Sequence, residues 1–185
     1  EQIKQISKKK DELFLENMEK IKIIDGATNF LLEIKKMGYQ IGIVTNCNRI
    51  VAEAILCKIN IHNLIDVLII GNECKKTKPY PDPYVTAIDF LGSTNNSTII
   101  FEDSKVGIQS GRNAFPKCLI GIESIYNSEE LMELGVDFSI KNYLDLDINK
   151  ILQYQNTNMK NIKTYIQNSL RKPIKNIEIF KSYLG

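Results

Sequence analysis

Three short polar clusters stand where apolar runs end. Thr45-Asn46 directly follows Ile41-Gly42-Ile43-Val44, and Glu102-Asp103 directly follows the run at 98–101. Lys78 lies within Lys75-Lys76-Thr77-Lys78-Pro79, in the loop after the run at 67–70. Together they suit phosphoryl transfer with a hard divalent cation. A phosphate needs hydrogen-bond donors, which the Thr45 hydroxyl and the backbone N–H groups after it can supply. It also needs positive charge, which Lys78 supplies. Two adjacent carboxylates repel by about 4 kcal/mol at a separation of about 4 Å and an effective dielectric of about 20. A cation between them is therefore favoured, and Mg²⁺ is the usual ion for a carboxylate site facing phosphate. Taken singly, each cluster has a plainer reading: Thr45 ends a strand, Lys78 is one of several solvated lysines, and Glu102-Asp103 caps the helix after Ser104. The joint occurrence of a hydroxyl, a cation and paired carboxylates at three strand ends favours the chemical reading. Because neighbouring strand residues point to opposite faces, both carboxylates reach one metal only if the strand ends there.

The elements that would position these groups alternate. Residues 27–37 carry Phe30, Leu31 and Ile34 at helical spacing and stop at Gly38. The run at 41–44 reads as a buried parallel strand. Residues 49–59 are helical again, and Val67, Leu68, Ile69 and Ile70 form a second strand. Asp82-Pro83 is a helix-start signature, with Asp82 as N-cap and proline in the first helical position, opening a helix over 84–91. A strand at 98–101, a helix at 106–114, a strand at 118–122 and a weak strand at 136–140 complete the pattern. Ligands of open parallel sheets bind outside the carboxyl ends of the strands, where the polar clusters fall. The expected fold class is α/β: a Rossmann-like parallel sheet with flanking helices and right-handed crossovers.

Composition narrows the function classes. The chain has 185 residues, 43% of them hydrophobic and 25% charged, which excludes wholesale disorder. No apolar run approaches the roughly 20 residues that a membrane span needs, and the expected location is cytoplasmic. The formal charge of +2 is uneven: residues 151–185 carry six Lys and Arg against Glu178, a local +5 that leaves −3 elsewhere. That tail lacks aromatics interleaved on one face, so a solvated helical extension is expected and nucleic acid is not an expected partner. Cys47, Cys57, Cys74 and Cys118 show no paired metal-ligand spacing and read as reduced thiols. Arg49 is too close to Cys47, and no Arg follows Cys74, for a cysteine-based phosphatase loop. His62, between Ile61 and Leu64, reads as structural.

The stretches Ile43-Val44-Thr45-Asn46, Lys78-Pro79-Tyr80-Pro81-Asp82-Pro83-Tyr84 and Ile100-Phe101-Glu102-Asp103-Ser104-Lys105-Val106-Gly107 occur in this order. In sequence and spacing they resemble the haloacid dehalogenase-like superfamily, particularly its phosphoglycolate phosphatase and β-phosphoglucomutase branch. The resemblance runs from about Lys8 to Leu152. It implies that Thr45 hydrogen-bonds the transferring phosphoryl group with Asn46 beside it, and that Lys78 balances charge between nucleophile and phosphate. It further implies that Glu102 and Asp103 hold Mg²⁺, and that Gly107 serves packing in the loop-to-helix turn. Bacterial receiver domains, the Rossmann-like competitor, place their acidic residues before their Thr and Lys, the reverse of the order here.

Catalysis in the family depends on a nucleophilic Asp within Asp-x-Asp at the end of the first strand, and no stretch here fits. Asp145-Leu146-Asp147 follows the last weak strand and reads as a helix cap, while Asp25-Gly26 precedes Ala27 and reads as a turn. The resemblance makes residues 1–25 the end of a helical cap and re-entry linker, 26–150 the α/β core, and 151–185 a basic helical extension. It places the missing strand centrally, between those carrying Thr45 and Asp103, and an upstream part of the same polypeptide is expected to supply it. The leading expectation is a Mg²⁺-dependent phosphohydrolase of small phosphomonoesters acting through an aspartyl-phosphate, whose Asp lies outside this chain. The alternatives are a phosphomutase of the same family and a non-catalytic binding or regulatory module.

Overall fold

The structure, a computed structural model, describes residue 9, residues 16–144 and residues 146–153. The cap end and linker expected over 1–25 and the extension expected over 151–185 fall largely outside the described residues. Of the N-terminal stretch, Met18–Lys20 forms a single 3₁₀ turn. Ile23 and Ile24 then pack against the core, and the Asp25 carbonyl accepts the Tyr143 N–H at 2.9 Å, so Asp25 is a turn residue as expected.

Helices and parallel strands alternate from there. The order is α1 (Ala27–Lys36), β1 (Gly42–Thr45), α2 (Arg49–Lys58), β2 (Val67–Ile70), α3 (Asp82–Phe90), β3 (Ile99–Glu102), α4 (Lys105–Asn113), β4 (Cys118–Ile122), α5 (Ser128–Glu133), β5 (Phe138–Ile140) and α6 (Ile148–Gln153). Gly26 opens α1 at φ 79°, and its lack of a side chain matters, because a Cβ there would lie 2.8 Å from the backbone of Tyr143 and Leu144. Asn48 caps α2 by accepting the Val51 N–H at 2.9 Å, and Ser104 caps α4 through the Gly107 N–H at 3.1 Å. Asp82 does not cap α3, contrary to expectation: it is the first helical residue, Pro81 precedes it, and no side-chain cap bond forms. Pro83 remains compatible with the first turn, where an N–H has no helical partner to lose. Helix α5 has a capping box built from Asn127 and Glu130, a signal passed over in the sequence.

All strand pairs are parallel, in two sheets: β1–β2, and β3–β4–β5. Among the described residues no ladder joins β1 to β3. The two sheets nonetheless belong to one layered body, because each apolar cluster draws on both. One face gathers Ile43 of β1, Phe101 of β3 and Ile120 of β4 beneath α1 and α6. The other gathers Val44, Ile69, Ile100 and Leu119 against α3, α4 and α5. The alternation Ile99/Phe101 against Ile100 along β3 is the period-two pattern of a strand buried on both sides.

Candidate active site

The carboxyl ends of β1 and β3 lie at one edge of this body, and Lys78 spans them. Its ammonium donates to the Val44 carbonyl of β1 at 3.1 Å and to Glu102 Oε1 of β3 at 2.5 Å. The Lys78 side chain is 1% exposed and that of Glu102 is wholly buried. An isolated charge at that depth would be strongly disfavoured, so the pair depends on its mutual attraction and on further hydrogen bonds. Those bonds are present. Tyr84, from the first turn of α3, donates its hydroxyl to the same Oε1 and lays its ring 4.9 Å beneath the Lys78 ammonium. Glu102 Oε2 accepts the backbone N–H groups of Asp103 and Ser104 and the Ser104 hydroxyl, at 3.1, 3.4 and 3.2 Å. Gly107 leaves room for this carboxylate, since a Cβ there would lie 2.1 Å from it.

Asp103 follows β3 directly and is 9% exposed; its Oδ2 accepts the Ser124 hydroxyl at 3.1 Å from the loop after β4. Thr45 is the last residue of β1 rather than the first after it, as Glu102 is of β3. The Thr45 oxygen accepts the Cys47 N–H at 3.1 Å and its hydroxyl points at the Cys47 sulfur at 3.2 Å. Sulfur is a weak acceptor, so that proton is readily redirected to a phosphate oxygen. The side chain of Asn46 turns instead to the lysine loop: its Oδ1 accepts the Thr77 hydroxyl at 2.8 Å, and the close approach requires Gly71, where a Cβ would lie 2.1 Å away. Asn46 therefore braces Lys78's loop, and its Oδ1 is not presented to the mouth of the site.

The structure thus brings Lys78, Glu102 and Asp103 together and sets Thr45 at the neighbouring strand end. Sequence reasoning assigned no role to Tyr84, Thr77, Ser104 or Ser124. Tyr84 was present in the quoted lysine-proline motif, and Ser124 had no signal. Carboxylate oxygens at the end of β3 are the chemistry a hard divalent cation takes. Glu102 and Asp103 are the carboxylates present, and among the described residues no group of three or more metal-ligating side chains forms.

Beside this edge an apolar cleft of about 660 Å³, open mouth included, runs between β1 and the helices of its face, lined by Leu31, Ile43, Thr45, Ile55 and Tyr143. Burial and the nearby Asp103 charge hold the Tyr143 phenol well above its ordinary pKa.

With fold and site described, the sequence comparisons are unambiguous about class. The family model for the haloacid dehalogenase-like hydrolases matches residues 1–120, and the chain belongs to that family. A relative, validoxylamine A 7'-phosphate phosphatase of Streptomyces hygroscopicus subsp. limoneus, is 33% identical over 113 residues, covering 61% of this chain and 53% of its own length. The chain therefore spans about half of that curated relative. Among solved structures, a family IA variant 3 hydrolase from Entamoeba histolytica superposes with a TM-score of 0.74 at 26% identity, over 81% of this chain and 69% of that one. A β-phosphoglucomutase-like protein from Thermotoga maritima shares the fold with a TM-score of 0.60 at 24% identity, over 63% and 55% of the two chains. The α/β fold and the superfamily inferred from three short motifs are both borne out.

Among the described residues no helix is long and apolar enough to cross a membrane.

Proposed function

We propose that this chain carries the phosphate-binding and charge-balancing half of a Mg²⁺-dependent phosphohydrolase of small phosphomonoesters. The observation that supports this most is the buried Lys78 ammonium spanning the ends of β1 and β3, with Asp103 next to its partner Glu102. A relative whose name specifies a phosphate ester, validoxylamine A 7'-phosphate, fits the same substrate class.

The residues divide the work by chemistry. Thr45 and the backbone N–H groups after it hold the phosphoryl oxygens. Two of the three Lys78 hydrogens are engaged by Val44 and Glu102, and in this reading the ammonium offsets charge developing on the phosphoryl group. Glu102 and Asp103 would hold Mg²⁺, which supplies Lewis-acid stabilisation of the phosphoryl oxygens when bound. The attacking group in this reading is an Asp on a strand outside this chain, lying between β1 and β3. Support comes from the two sheets, which share both apolar clusters yet form no ladder with each other. Four residues of backbone on each facing edge are suited to pairing with such a strand. Forming an acyl-phosphate divides one difficult displacement into two easier ones. A phosphomutase uses the same half-site and is the alternative within the class.

The test is hydrolysis of p-nitrophenyl phosphate by the complete gene product with and without Mg²⁺. Asp103→Asn, nearly isosteric, is expected to lower kcat/KM at least about 100-fold. Lys78→Ala is expected to do the same, with folding checked by circular dichroism because it leaves Glu102 buried and unpaired. Undiminished turnover in folded Asp103→Asn and Lys78→Ala proteins overturns the site assignment.

A further inference from the structure

Tyr84 touches both members of the Lys78–Glu102 pair. Its hydroxyl donates to Glu102 Oε1, the oxygen that also accepts from Lys78, and its ring lies 4.9 Å from the Lys78 ammonium. Tyr84 is itself wholly buried, in the cluster formed by Val44, Ile100 and Ile108. It reaches the pair from a rigid support, because α3 packs its Tyr84, Ala87 and Ile88 face inward. A buried ammonium with a flexible four-carbon stem has no position of its own; its position is set by what surrounds it. Here those surroundings are a β1 carbonyl, one carboxylate oxygen and one aromatic face. Removing the Tyr84 hydroxyl would leave Oε1 with a single donor. The carboxylate could then rotate toward Lys78 and draw the ammonium away from the mouth of the site.

We propose that Tyr84 is a positioning residue that fixes the Lys78 ammonium for charge stabilisation, acting through the shared Glu102 oxygen. This rests on the role given to Lys78 above. Nothing in the proposal requires Tyr84 to touch substrate or to exchange a proton.

The test is a double-mutant cycle on the complete gene product, with p-nitrophenyl phosphate and saturating Mg²⁺. Tyr84→Phe keeps the ring and removes the hydroxyl. The second background is the paired change Lys78→Gln/Glu102→Gln, which abolishes the ion pair without stranding one buried charge. In the otherwise natural protein, Tyr84→Phe is expected to lower kcat about tenfold with KM changed less than about twofold, since misplacing a charge-stabilising group weakens the transition state more than the ground state. In the Lys78→Gln/Glu102→Gln background the same change is expected to alter kcat less than about twofold, because the group it acts through is gone. Equal losses in both backgrounds would mean a merely structural role and overturn the proposal, as would a Tyr84→Phe protein with the natural kcat. A Lys78→Gln/Glu102→Gln protein as active as the natural one, or a complete product without phosphatase activity, would remove the parent reading and this proposal with it.

Discussion

At the scale of single residues, the site is built by surrounding charges completely. Glu102 accepts from Lys78, Tyr84, Ser104 and two backbone N–H groups, and this is how a carboxylate remains at zero exposure in an otherwise apolar core. Sequence reading singled out Lys78, Glu102 and Asp103 because a cation and paired carboxylates occur together with a hydroxyl at three strand ends, though each alone has a plainer reading. It left Tyr84 without a role because an aromatic in an amphipathic helix looks the same whether or not its hydroxyl has work to do. It set Asn46 beside the phosphate without foreseeing that its Oδ1 accepts the Thr77 hydroxyl, because side-chain direction depends on loop packing that a motif does not encode. Tyr143 gives a titration that can be checked. Burial first, and the Asp103 charge second, keep its phenol neutral well above the ordinary tyrosine range. A raised folded-state pKa contributes stability that is complete below the unfolded value, about pH 10, and is lost as pH climbs beyond it. Urea unfolding midpoints should therefore fall more steeply above pH 10 in the natural protein than in Tyr143→Phe. Parallel slopes would show that Tyr143 ionises in the folded state as readily as in the unfolded one.

At the scale of elements, helix and strand positions were legible to within a residue or two, because the period-two and helical apolar patterns are uninterrupted from α1 to β4. Boundaries moved where the chemistry sits. Thr45 and Glu102 proved to be the terminal strand residues, so their backbones are held by the sheet while their side chains face the site edge. Helix α5 escaped notice because it is only six residues long, and its single buried residue, Leu131, gives no period to read. One element end is visibly strained. Phe115, just past the α4 cap, adopts φ 54° and leaves its ring 70% exposed. A left-handed conformation at a residue with a Cβ costs about 1–2 kcal/mol, and glycine avoids that cost at some loss of unfolded-state order. Phe115→Gly should accordingly raise stability by about 0.5–1 kcal/mol in denaturant melts. An unchanged or lowered midpoint would indicate that the exposed ring contributes favourably after all.

At the scale of the whole molecule, the notable feature is a layered α/β body whose two parallel sheets share cores but not hydrogen bonds. No property of the sequence alone announces this, since apolar periodicity reports which strands are buried and says nothing of which edges are paired. The family resemblance implies a strand between those of Thr45 and Asp103, and among the described residues no ladder joins β1 to β3. In the mechanism proposed above, the phosphoryl-accepting Asp stands on that strand, outside these 185 residues, while Thr45, Lys78, Glu102 and Asp103 prepare its surroundings. Trapping the intermediate tests this most directly. The complete gene product would be incubated with Mg²⁺ and p-nitrophenyl phosphate and quenched, and its acyl-phosphate reduced with borohydride to homoserine, which peptide mass spectrometry then locates. Homoserine is expected at an Asp outside residues 1–185 and at none within them; homoserine at any Asp of this chain, Asp25 being the first to inspect, would overturn that mechanism.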